Sequence, residues 1–159
     1  MTAAGRCFEE FEVGQRFETG VREIGEDAVL AFADVTGDRN PLHLDEGYAR
    51  TSVFGERVAH GLLGTCIGAG LLQQSGLTRG TLVALLGLSW SFVAPIRFGT
   101  AVRLRLHVAS TRRTSKPDRG VVVLAAELVS GDDDVLQRGE FTLLVRRREV
   151  DEADGSLRH

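Results

Sequence analysis

The chain has 159 residues, 43% hydrophobic and 26% charged, enough to bury a core of its own without disulfide or metal support, and a single domain is expected. A net charge of −3, with basic and acidic residues interspersed, excludes the broad electropositive face of a nucleic-acid-binding protein. Cys7 and Cys66 stand far apart, in neither CxxC nor zinc-ligand spacing, and the N-terminus MTAAGRCFEEFEVGQ lacks the basic and apolar regions of a signal peptide, so reduced thiols in a cytoplasmic protein are expected.

In chain order, Phe8, Phe11, Val13 and Phe17 are spaced through an acidic lead-in, which predicts an extended segment laid on the domain. From Ile24 a short helix is predicted: Glu26 and Asp27 suit its first turn, Ala28, Phe32 and Val35 share a face, and Gly37 supplies the stop. The next stretch, Thr36 to Gly61, gathers most of the groups able to do chemistry: Asp38, Asn40, Pro41, His43, Asp45 and His60. It holds too much Gly, Asp and Asn for a regular element and is expected to be a loop.

A buried helix is predicted to begin near Val58 and run to Gln74, because the segment carries no charge apart from His60. Its glycines each cost about 1 kcal/mol relative to alanine in a helix interior, so its stability must come from packing. Gly61, Gly64 or Thr65, and Gly68 recur every three or four residues, giving one face with almost no bulk on which a sheet can close. A membrane span is excluded by Gln73 and Gln74 and by an apolar run shorter than the roughly 20 residues a bilayer requires.

Beyond Gly76 the chain becomes β-rich. Val102, Leu104, Leu106 and Val108 alternate with Arg103, Arg105 and His107, the period-2 pattern of a strand with one wet face. Thr81–Val93, Val121–Val129 and Val135–Val145 are three more predicted strands, with Gly131–Asp134 as a hairpin connection and Thr111–Gly120 as a basic loop. Residues 149–159 have the composition of a disordered tail, leaving residues 1–148 as one domain. A long buried helix followed by four long strands predicts an α+β fold, a mainly antiparallel sheet wrapped around the helix.

Taken singly, the polar loop residues have structural alternatives: Asp38 as a turn residue, His43 as a structural histidine or, with Asp38 and Asp45, a metal ligand short of partners, and Asn40 and His60 as groups that fix the loop. Tyr48 and Trp90 suit a core, and Arg112, Arg113 and Lys116 a solvated loop, with coenzyme A phosphate as a lesser alternative. There is no GxSxG and no phosphate-binding P-loop.

Together the residues carry more. Thr36-Gly37-Asp38-Arg39-Asn40-Pro41-Leu42-His43, then Asp45, Tyr48 and Ala49, then Phe54-Gly55 and Ala59-His60-Gly61, resemble the hydratase signature of the MaoC-like (R)-specific enoyl-CoA hydratases. Ser89-Trp90-Ser91-Phe92, Pro95 and Gly99 are similar to the strand segment that follows the helix in that family. The resemblance covers about Phe8 to Arg147. It implies a hot-dog fold, a homodimer or dimer-based oligomer, and reversible hydration of a 2-enoyl thioester, coenzyme A being favoured over acyl carrier protein, in fatty acid metabolism with no cofactor and no metal.

It also implies that Asp38 and His43 are the catalytic pair, that the Gly61 N–H receives the thioester carbonyl, and that Asn40 and His60 support the loop. The chemistry agrees: hydration needs a base for water, an acid for the α-carbon and a donor for enolate charge, and a glycine at a helix N-terminus lets a substrate approach unpaired N–H groups. The sequence departs from the pattern at Thr100, where many relatives have Asp, and at Ala69, where some have Ser. A hot-dog acyl-CoA thioesterase and a non-catalytic subunit of a mixed hydratase assembly are the alternatives.

Overall fold

The computed structural model describes residues 4–148; the expected tail, residues 149–159, lies outside them. A 3-10 turn (Phe8–Glu10) leads into strands β1 (Arg16–Glu18) and β2 (Arg22–Ile24) and helix α1 (Glu26–Thr36). Two short helices, α2 (Pro41–Leu44) and α3 (Glu46–Arg50), stand in the stretch expected to be a loop, because the Asn40 and Asp45 side chains cap them; the central helix α4 (Gly61–Gln74) comes next. Four long strands complete the chain: β3 (Leu82–Phe92), β4 (Thr100–Arg113), β5 (Arg119–Ser130) and β6 (Val135–Arg146). Every pairing is antiparallel, in the order β1-β4-β5-β6-β3, with β2 also on β4. This sheet wrapped on α4 is the hot-dog arrangement that the sequence implies.

The alternation in β4 sets the layers. Val102, Leu104, Leu106 and Val108 are buried, and the arginines between them face outward with Glu18, Glu127 and Asp133 as charged partners. Helix α4, about 21 Å long at 1.5 Å per residue, contributes Leu63, Ile67, Leu71 and Leu72 to the same core. Its glycine face is where it meets the sheet. A Cβ on Gly68 would sit 3.4 Å from Leu104, and one on Gly64 would overlap Ile96 and lie 2.7 Å from Gln137 Nε2.

Several elements differ from the sequence expectation. Helix α4 begins at Gly61 rather than near Val58, because Val58 pairs with Arg97 in a bridge and Ala59 N–H donates to Ile96 O at 2.8 Å, which keeps these residues extended. The lead-in is a 3-10 turn and two short strands instead of one extended segment, with Phe8 and Phe11 buried and Val13 exposed. In α1 the buried residues are Val29 and Ala33, flanked by Ala28 and Phe32; Val35 is 82% exposed because the last turn has run past the core. Arg112 and Arg113 belong to β4, paired with Val121 and Gly120, which shortens the basic loop. Trp90 packs on Phe141 at 5.2 Å as expected of a core residue, whereas Tyr48 is half exposed.

One edge of the sheet is β3, which exposes Val83, Leu85, Leu86, Leu88 and Phe92. Among the described residues, no helix is long and apolar enough to cross a membrane.

The close approach at Gly64 has a measurable consequence. Gly64→Ala gives α4 better helix propensity but forces a methyl group into filled space, so a net loss of about 1–3 kcal/mol is expected. Thermal melting checks this, and an unchanged or raised melting temperature contradicts the packing described.

Candidate active site

The polar loop is built from a series of local caps. Gly37 ends α1 in the left-handed region (φ 76°), a conformation that favours glycine, and its N–H donates to Ala33 O at 2.9 Å. The chain then turns through Asp38, whose Oδ1 accepts from Asn40 N at 3.3 Å. Asn40 caps α2: its Oδ1 accepts from Leu42 N at 3.0 Å, and Pro41 occupies the first helical position, where its missing N–H costs nothing. Asp45 caps α3 in the same way through Tyr48 N at 2.9 Å, which commits it to structure.

Helix α2 presents His43, whose Nδ1 lies 2.7 Å from Val58 O. A carbonyl only accepts, so Nδ1 carries the proton and the neutral ring keeps its lone pair on Nε2. His60 is 2% exposed, and its Nε2–H donates to Asp38 O at 2.9 Å. Its ring lies against His43, with centroids 3.8 Å apart and planes at 34°, and Phe32 covers it at 5.0 Å. His60 Nδ1 is buried without a partner among the described residues. Asp38 is exposed, and one polar side-chain atom of each of Asp38, His43 and His60 falls within 4.8 Å of the others. Each imidazole gives one nitrogen to a backbone carbonyl and keeps the other free, so each of the three side chains still offers one donor atom to the group.

Burial holds the His43 pKa below its usual 6.5, and the neighbouring His60 acts in the same direction; the Val58 hydrogen bond and the Asp38 charge oppose the shift without reversing it. His43 is therefore neutral at pH 7.

Beside this group opens a cleft of about 460 Å³, predominantly apolar, lined by Phe54, Val58, Phe92, Pro95 and Ile96 and bounded by His43, Gly61 and Gln137. The first turn of α4 faces it. Among the described residues the N–H groups of Gly61 and Leu62 meet no acceptor within the chain, as is usual for the first turn of a helix. A Cβ at Gly61 would lie 2.8 Å from the Phe92 ring. A larger depression of about 610 Å³ lies on the outer face of the sheet among Arg16, Arg105, Arg138, Glu127 and Glu140. It contains none of the loop groups, so the smaller cleft is the chemically competent one.

The structure thus sets His43 and Gly61 on one cleft, brings Asp38 and His60 beside His43 and gives Asn40 a capping position. Ala69 packs against the core and does not line the cleft, and Thr100 Oγ1 donates to Arg97 O at 2.7 Å in the turn before β4. Gln137, Phe92 and Ile96 were not among the expected site residues. Gln137 had a signal: it stands in the inward register of Phe141, Leu143 and Val145, a polar residue where the strand pattern wants an apolar one.

Residues 9–129 match the family model described as the MaoC like domain. The chain belongs to the MaoC-like family. Over 149 residues this MaoC-like chain is 38% identical to the 3-hydroxybutyryl-CoA dehydratase of Methylorubrum extorquens, covering 92% of this chain and 87% of that protein. It is 32% identical to the (R)-specific enoyl-CoA hydratase of Aeromonas caviae over 83% of this chain and 93% of the other. The crystal structure of the MaoC-like dehydratase from Rhodospirillum rubrum superposes with a TM-score of 0.82 at 31% identity, covering 92% of this chain and all (100%) of that one.

The shift of His43 fixes the sign of a pH effect. A proton binds the unfolded imidazole before the folded one, so the contribution of His43 to stability is intact above pH 6.5 and declines as pH falls towards the folded midpoint. An NMR titration of the His43 ring is expected to show a midpoint below 6.5; a midpoint above it contradicts the environment described.

Proposed function

We propose that this chain catalyses the reversible hydration of a 2-enoyl-CoA thioester to the (R)-3-hydroxyacyl-CoA, as a carbon–oxygen lyase. The observation that carries the reading is that His43, with Asp38 beside it and its Nε2 free, shares an apolar cleft with the open Gly61 amide. In this reading the acyl group enters the cleft with its carbonyl oxygen at the Gly61 N–H. Water binds between Asp38 and His43. The pair removes a proton from the water as its oxygen bonds to C3, and returns a proton to C2, so the pair ends as it began. Charge that develops on the thioester oxygen is met by the Gly61 amide and the positive end of α4. The names of the relatives, a 3-hydroxybutyryl-CoA dehydratase and an (R)-specific enoyl-CoA hydratase, support this substrate class and favour coenzyme A as the carrier.

Asn40 and His60 are supporting residues: Asn40 holds α2 in place, and His60 fixes both the Asp38 backbone and the His43 ring face. No cofactor takes part in the scheme, and the reading includes a cytoplasmic location and a role in fatty acid metabolism. Loss of the acid–base pair is expected to be severe: Asp38→Asn or His43→Ala lowers turnover by about 100-fold or more with the fold intact. Circular dichroism and single-substrate kinetics check this, and near-normal activity in either folded variant contradicts the assignment.

The active unit we infer is a homodimer or a dimer-based oligomer. The β3 edge exposes Val83, Leu85, Leu86 and Leu88 and carries unpaired backbone groups, a surface that a second copy suits. Sedimentation is expected to give at least a dimer; a fully active monomer contradicts it.

A further inference from the structure

Gln137 is 1% exposed and every bond it makes crosses between elements. Its Oε1 accepts from Trp90 Nε1 of β3 at 2.9 Å and from Thr65 Oγ1 of α4 at 3.2 Å. Its Nε2 donates to Gly61 O at 2.8 Å. A buried amide that lacked these partners would cost about 1–3 kcal/mol, so its presence in an otherwise apolar register needs a reason.

The reason lies in the start of α4. The helix has no local cap: His60, at the N-cap position, makes no side-chain bond to the first turn. Its first residue is glycine, the residue with the most backbone freedom, and its leading N–H groups have no intrahelical partner. Such a turn frays unless it is held from outside. Gln137 supplies that hold at the carbonyl of Gly61 itself. Because a peptide unit is planar, fixing the Gly61 carbonyl fixes the Leu62 N–H in the same plane and limits rotation at Gly61. The absence of a side chain at Gly64 is part of the same device, since a Cβ there would lie 2.7 Å from the Gln137 amide nitrogen.

We propose that Gln137 is a positioning residue: it anchors the first turn of α4 from the sheet, so that the Gly61 N–H stays aimed at the thioester oxygen. The proposal rests on the hydratase reading for its functional half, and on geometry alone for the anchor.

The test compares Gln137→Met, which keeps length and removes both hydrogen-bonding groups, with Val145→Ala, a core truncation at the far end of β6. Melting, kinetics on a 2-enoyl-CoA and amide hydrogen exchange of Gly64 and Thr65 are measured on each. Gln137→Met is expected to lower kcat per folded molecule about tenfold, the scale of one net hydrogen bond, with KM changed less than about threefold, and to speed exchange at Gly64 and Thr65, whose N–H groups close the first turn on His60 O and Gly61 O. Val145→Ala is expected to lose stability while kcat per folded molecule and exchange at those two amides stay unchanged. Unaltered kcat in folded Gln137→Met overturns the positioning role, as does unaltered exchange, and so does a kcat loss matched by Val145→Ala. A wild-type protein inert towards 2-enoyl thioesters overturns the hydratase reading and the positioning role with it; the exchange difference would then report an anchor alone.

Discussion

The first turn of α4 reaches the sheet only because position 64 has no side chain. With Gly64 in place, Ile96 and the Gln137 amide fill the space a Cβ would occupy, and the helix start settles against β6 and the segment before β4. That contact decides where the unpaired N–H groups of Gly61 and Leu62 point, and therefore where negative charge can be accommodated. A side chain at 64 would lift the helix off the sheet and move the amides away from the cleft. Helix propensity is sacrificed along this face, and burial of Leu63, Ile67, Leu71 and Leu72 offsets the loss.

The polar loop is positioned relative to that fixed point by bonds to backbone. His43 is tied to Val58 O, the Asp38 carbonyl to the His60 ring, and the two rings lie against one another, so His43 and Asp38 are both located by the segment that precedes the helix start. Arg57, ion-paired with Glu26 at 2.6 Å and stacked over Phe98 at 4.9 Å, ties the same stretch to α1. Two effects follow from the one arrangement. The tautomer of His43 is set, with its lone pair on the side away from Val58, and burial favours the neutral ring. Catalytic geometry of this kind depends on rigid neighbours more than on the loop itself.

Much of this was legible in the sequence because it depends on local rules. The β4 alternation, the Gly37 stop and the small-residue face of α4 all follow from periodicity and capping chemistry, and each has its counterpart in the structure. The spaced Asp38, Asn40-Pro41, His43 and His60-Gly61 likewise point to a candidate site, and the fold sets Asp38 and His60 beside His43, which shares a cleft with Gly61. What was not legible depends on distant contacts. The start of α4 at Gly61 is decided by pairing of Val58 with Arg97 and of Ala59 with Ile96, residues nearly forty positions away. The exposure of Val35 depends on where the core ends, which no helical period records. Gln137 stood out only as a polar break in an apolar register, and its partners Trp90, Thr65 and Gly61 could not be named until β3, β6 and α4 were in contact.

The central claim is that these groups act on the double bond of a thioester and not on its carbonyl carbon. The most direct measurement follows the absorbance of the conjugated thioester when the wild-type protein is mixed with short- and medium-chain 2-enoyl-CoA compounds, with free thiol assayed in the same samples. The account predicts that the absorbance falls without release of thiol and that 3-hydroxyacyl-CoA accumulates; thiol release in step with the absorbance loss, or no change with any of the compounds, contradicts it.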